Sequence, residues 1–187
     1  VMEVATFTVD DDGGLRVENG SQLNVRNAGV TMNGDFVLSD ASLVFLETAF
    51  FKIYGTATML NALVDIYVYN DIEVYGALTA EHTLFAGVRD NREPDSVAVY
   101  EGGEGAFTWC DFQDIRVDIS GQAQFNLDTF TNPDGDGLVV HDSGGADLTL
   151  CHLLDFQGDA LRNEGAGLVS AAFCYWGAAD GPSGAGL

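Results

Sequence analysis

Phe51-Lys-Ile-Tyr-Gly55 and Asp71-Ile-Glu-Val-Tyr-Gly76 repeat one pattern of apolar, charged, apolar, Tyr and Gly, 21 residues apart. The alternation has the period of a half-buried strand, and each closing glycine is expected to supply the positive φ of a sharp corner. Similar segments recur on both sides: Gly29-Val-Thr-Met-Asn-Gly34, Ser96-Val-Ala-Val-Tyr-Glu-Gly102, Ile115-Arg-Val-Asp-Ile-Ser-Gly121, Leu138-Val-Val-His-Asp-Ser-Gly144 and Leu161-Arg-Asn-Glu-Gly165. Their closing glycines are spaced by 21, 21, 26, 19, 23 and 21 residues. A second strand follows the glycine, clearest in Gly105-Ala-Phe-Thr-Trp-Cys110, Ala123-Gln-Phe-Asn-Leu-Asp128 and Ala146-Asp-Leu-Thr-Leu-Cys151. Phe107, Phe125 and Leu148 then fall in one column, and Phe112, Phe130 and Leu153 in another.

A unit of this size cannot bury its own apolar face, so successive units must stack into a continuous core. The expected fold is all-β, a right-handed parallel β-helix (β-solenoid) of about eight coils with little or no helix, a rod about 40 Å long at about 4.8 Å per coil. A β-sandwich would place Asn-Gly or Asp-Gly turns between most strands, and few occur here. Ala41 to Phe50 has a helix-like composition but falls in register with the coils, and reads as strand. One domain covers 1–187, with an N-terminal strand and acidic loop over 1–13 and stacked coils over 14–187.

Composition narrows the partners. The 187 residues carry 29 Asp and Glu against 7 Lys and Arg, a formal charge of -22, with 47% hydrophobic residues. That apolar content supports a folded core, while the acidic surface repels phosphate backbones and anionic lipid headgroups. Nucleic-acid binding and membrane insertion are therefore not expected; no run of about 20 apolar residues is present. The excess of Asp, with Lys52 as the single lysine, fits either a salt-adapted protein or an acidic extracellular surface.

Phe173-Cys-Tyr-Trp-Gly177 followed by Asp180-Gly-Pro-Ser-Gly184 resembles the closing coil of right-handed parallel β-helix repeat proteins of the pectate-lyase-like superfamily. Leu161 to Val169 and Asp71 to Ala80 are similar to coils of that family. Phe173-Cys174 replaces the usual Asn pair, so the family's Asn ladder is missing there. The resemblance supplies the right hand of the helix, together with the general preference for right-handed parallel crossovers.

Many members of that superfamily are polysaccharide lyases or hydrolases, which the resemblance raises as a function and the residues must support. The hydrolase signatures Gly-His-Gly and Arg-x-Lys do not occur in the chain. Asp114 and Asp118, alternating with Arg116, form the best carboxylate cluster, and a solvated strand face explains them as well. No catalytic residue is assigned. Asn132, Asp134 and Asp136 in Asn132-Pro-Asp-Gly-Asp-Gly137 start like a calcium loop, but Ser143 stands where the closing Glu would be needed. Calcium is thus the one cofactor to consider, against a plain structural turn. Asp10, Asp11 and Asp12 read as a hydrated loop.

His82, His141 and His152 fall in different coils at different repeat positions, which gives no metal cluster. Cys110, Cys151 and Cys174 share one place in their coils, with Asp128 at the same place between the first two. Cys110 and Cys151 would be about 9.6 Å apart, too far for a bridge, whereas Cys151 and Cys174 are within reach; a stack of free thiols is the plainer reading. Thr-x-Thr pairs do not recur at the coil period, which argues against ice binding. Tyr54, Tyr75 and Tyr100 do recur, and would either hold sugar rings or shield a coil edge.

The functional expectation is a secreted, non-catalytic structural solenoid at the cell surface, a self-assembling subunit of a filament or array whose partners are copies of itself. No capping helix is evident at either end, and Val1, Val4, Phe7 and Val9 form the candidate strand-addition segment. The alternative is a carbohydrate-active β-helix, a polysaccharide-binding module or an enzyme.

Overall fold

The computed structural model describes residues 6–46, 49–67, 70–87, 95–131 and 135–177. They form a parallel β-solenoid with three faces: two sheets of eight strands and one of seven, each running the length of the stack. Every named strand pair is parallel, and no helix occurs among the described residues. Each coil visits sheet 1, then sheet 2, then sheet 3; the first runs through Thr6–Val9, Gly14–Glu18 and Gln22–Arg26. Thr6–Val9 is therefore part of the first coil, and the acidic loop expected to precede the stack is that coil's first corner. The Asp180 to Gly184 turn lies outside the described residues, as do Val1 and Val4.

The register follows the columns read from the sequence. Phe107 pairs with Phe125 and Phe125 with Leu148; Phe112 pairs with Phe130 and Phe130 with Leu153. Stacking on a parallel ladder puts like rings over like. Phe85 lies 5.0 Å from Phe112 with the ring planes nearly parallel, and Phe112 lies 4.7 Å from Phe130. Phe107 and Phe112 meet edge to face at 5.3 Å across the interior, so two sheets lock together through aromatic contacts. Each fully buried phenylalanine contributes on the order of 2–3 kcal/mol of transfer free energy. Ser42–Leu46 and Phe50–Ile53 are strands, as the register of Ala41 to Phe50 required.

The closing glycines act differently from the sequence expectation. Gly34, Gly55 and Gly76 are not in the left-handed region; among the described glycines only Gly20, Gly102 and Gly177 are. A Cβ on Gly55 would collide with the carbonyl oxygens of Asn33 and Gly34 in the preceding coil, and one on Gly76 with those of Tyr54 and Gly55. They are glycines because backbone passes directly over backbone at this corner. In the longer coil Gly103 takes the place, with Glu101 and Gly102 (φ 84°) as the insertion.

Positive φ is used at the next corner instead, between sheets 2 and 3. Asn19, Asp40, Asn61 and His82 hold it in the first four coils, at φ values of 58°, 49°, 48° and 49°. Asn and Asp tolerate this conformation better than other non-glycine residues, because a short polar side chain bonds locally. Trp109, Leu127, Leu150 and Phe173 hold it in the next four, at 56°, 62°, 56° and 59°.

Candidate functional site

Outward positions of sheet 1 carry the densest polar chemistry. Lys52 and Glu73 are cross-strand neighbours, with Nζ 2.9 Å from Oε2, and the Tyr75 hydroxyl donates to the same oxygen at 2.8 Å. The Lys52 ammonium also lies 5.0 Å from the centre of the Phe50 ring. The Glu73 hydrogen bond raises the Lys52 pKa. Tyr75 is pushed well above the usual phenol range by burial first and by its bond to Glu73 second. Asp71 is raised by burial, although the Ser96 hydroxyl donates to it at 2.7 Å and stabilises the anion.

Tyr54, Tyr75 and Tyr100 sit one above another, with centroid distances of 4.7 and 4.6 Å and planes within 7° and 8° of parallel. Both faces of Tyr75 are covered by its neighbours. The faces inside the column are closed to a sugar ring, which leaves only the outer faces of Tyr54 and Tyr100 as a platform.

Farther along the same sheet a chain of ion pairs crosses three coils. Asp118 accepts from Arg116 Nε at 2.8 Å and lies 3.0 Å from His141 Nε2, whose Nδ1 lies 3.0 Å from Glu164. Glu164 pairs with Arg162 Nε at 3.0 Å, and Arg162 Nη1 reaches Asp136 at 2.7 Å. Asp118 is thus brought together with Arg116, as the sequence suggested. Asp114 instead occupies a left-handed corner at φ 54° before the strand. His141 and Glu164 complete a cluster that the sequence reading did not assemble, because they lie one and two coils away.

Of the calcium candidates, Asn132 and Asp134 lie outside the described residues. Asp136 accepts the Asp159 N–H at 2.8 Å and pairs with Arg162, which makes it a corner fastener. No group of three or more metal-ligating side chains is found among the described residues.

The cysteines line one interior column, and all three are free. Cys110 and Cys151 are fully buried, and burial pushes each thiol up to about 12. Asp128 lies between them, also buried. Its carboxylate accepts the Cys110 N–H at 2.6 Å and the Asn126 N–H at 2.9 Å. Desolvation outweighs those two bonds and raises its pKa to about 7. A second buried polar pair holds the opposite corner: Asn70 accepts the Ala49 N–H, and its own N–H donates to Asp95 at 3.2 Å.

The left-handed corner carries the surface that the sequence reading missed. In the first half of the rod it borders a groove of about 580 Å³ along the axis. Gly20, Ala41 and Ala62 form its floor; Asp40 and Asn61 stand on one side, Leu63 and Leu84 on the other. His82 and Trp109 stand at the far end, rings nearly parallel at 6.2 Å. From there the corner becomes an apolar ridge: Trp109 is 54% exposed, Leu150 46% and Phe173 87%, with Leu127 half-buried. The 21-residue recurrence of Asn19, Asp40, Asn61 and His82 was the available signal.

Phe7 and Val9, expected to serve strand addition, turn into the core, Val9 buried and Phe7 packed partly against it. Their strand ends the order of sheet 1, so one backbone edge pairs with no described strand. No protein-family model, no curated protein and no solved structure matches the chain.

Proposed function

We propose that this chain is a non-catalytic structural solenoid of the cell exterior whose outer surface associates with copies of itself. The observation that carries the reading is the apolar ridge on the left-handed corner. Asn, Asp or Gly would sit there at lower conformational cost, about 1 kcal/mol per residue, and would leave a polar surface. Trp109, Leu150 and Phe173 accept that cost and expose apolar area, a local inconsistency of the kind found at functional surfaces. The polar groups of sheet 1 support the same reading: Asp118, Glu164 and Asp136 are each held by Arg or His neighbours, as cross-links between coils. The three-sheet order and the Cys174 to Gly177 coil support descent from pectate-lyase-like β-helices.

Electron microscopy of the native protein in salt-containing buffer tests the reading. Regular multi-chain particles, filaments or sheets are the expected images; single rods about 40 Å long at every salt concentration contradict it. A polysaccharide-binding module is the second reading, favoured by the row of charged side chains from Lys52 to Arg162 on one face. A soluble glycan panel with Asp118→Asn as control tests it, and the expected sign is retarded migration lost in the variant.

A further inference from the structure

We propose that two copies associate side by side and antiparallel, the apolar ridge of each lying along the groove of the other, about a two-fold axis between His82 and Trp109. This rests on the self-association reading above and gives it a geometry. The corner has eight occupants in the described coils: four polar ones beside the groove, then four apolar ones forming the ridge. Both halves advance at the same coil step, so reversing one copy places four ridge positions against four groove positions in register. The groove's exposed lining is more polar than apolar, with Asp40 and Asn61 on one wall; Leu63 and Leu84 on the other form the apolar strip that receives side chains such as Leu127 and Leu150.

With His82 and His152 protonated, charge selects the same arrangement. The first outward row of sheet 3, next to the groove, reads Ser42, Leu63, Leu84, Asp111, Thr129 and His152 from the second coil to the seventh. With the copies antiparallel, the second coil faces the seventh and the fourth faces the fifth. Asp40 then opposes His152 of the second copy, and His82 opposes its Asp111. In a parallel pair Asp40 would face Asp40 and ridge would face ridge, leaving the groove unfilled. An end-to-end stack would leave the corner uncovered.

Size is also adequate. Eight coils give a seam about 40 Å long. A strip about 15 Å wide buries about 600 Å² on each copy, near the lower limit for a specific interface. A two-fold contact of this kind is isologous and closes on itself.

The test is a cysteine pair, Asn61→Cys with Leu127→Cys, with wild-type protein and each single variant oxidised in parallel. Within one chain these corners are three coil steps apart, about 14 Å, beyond disulfide reach. The expected product is a covalent dimer in which the cysteine introduced for Asn61 of one copy is linked to the cysteine introduced for Leu127 of the other. Mass spectrometry maps that link, and its yield is expected to be about tenfold above either single variant. Leu150→Asp, a polar residue that the left-handed corner accepts, is expected to raise the dimer dissociation constant at least tenfold while its circular dichroism stays that of the wild type. Association that persists without the link and is unchanged in Leu150→Asp overturns the seam and leaves self-association standing. A wild type that runs at the mass of one chain in salt overturns both.

Discussion

Trp109 stands directly over His82 in the left-handed corner, ring centroids 6.2 Å apart and planes 16° from parallel. This is where the corner passes from Asn and Asp to large apolar side chains. Below it the corner chemistry satisfies the backbone; above it the backbone carries residues that gain nothing from that conformation in an isolated chain.

The account therefore separates folding from association at Leu150. Leu150→Asn removes a branched apolar side chain at φ 56° and supplies one that tolerates it. The isolated chain is expected to gain about 0.5–1 kcal/mol in urea unfolding at low salt. Its self-association in concentrated salt is expected to weaken. A variant that loses stability and keeps its association assigns Leu150 to the core.

Asp128 makes the stability depend on pH in a direction opposite to most carboxylates. Its pKa is raised to about 7 in the folded chain, so the folded state holds the proton more tightly than the unfolded one. The contribution is complete below about pH 4 and is lost as pH rises through about 7, worth up to roughly 4 kcal/mol. Asp128→Asn does not titrate. The stability of wild type relative to Asp128→Asn, measured by urea unfolding at pH 5 and pH 8, is expected to fall at the higher pH; a difference independent of pH contradicts the buried, neutralised carboxyl.

The thiols should react in two classes. Cys174 is half-buried, whereas Cys110 and Cys151 are fully buried with thiols pushed up to about 12. An alkylating reagent at neutral pH is expected to label Cys174 in the native protein and the other two only after unfolding. Prompt labelling of all three would mean that the interior column opens.

The tyrosine column should show its middle member as the costliest. Tyr75 stacks on two rings and bonds Glu73, while Tyr54 stacks on one among the described tyrosines. At about 0.5–1.5 kcal/mol per aromatic pair, Tyr75→Ala is expected to cost at least twice Tyr54→Ala in thermal or urea unfolding. Equal costs would make the column a set of independent surface rings.

How much the sequence revealed depended on the range of the interaction. The period, the strand-glycine-strand unit and the columns of Phe107, Phe125 and Leu148 were legible because parallel stacking copies one inward position into the next coil at nearly constant spacing. The role of Gly55 was not, since a residue chosen for close approach and one chosen for positive φ are both written as glycine. His141 and Glu164 could not be joined to Asp118 without coordinates, because the path between coils varies from 18 to 27 residues in the paired strands. The change at Trp109 was visible as letters but meaningless until the corner was known to be left-handed.

Sedimentation equilibrium of the native protein as a function of salt tests the central claim most directly. With a formal charge of -22, copies repel at low ionic strength, and screening exposes whatever attraction the ridge provides. The account predicts the 19.9 kDa mass of one chain at low salt and two or more chains in concentrated salt, with Leu150→Asp held near one chain throughout. A wild type that stays at one chain across salt and concentration contradicts it.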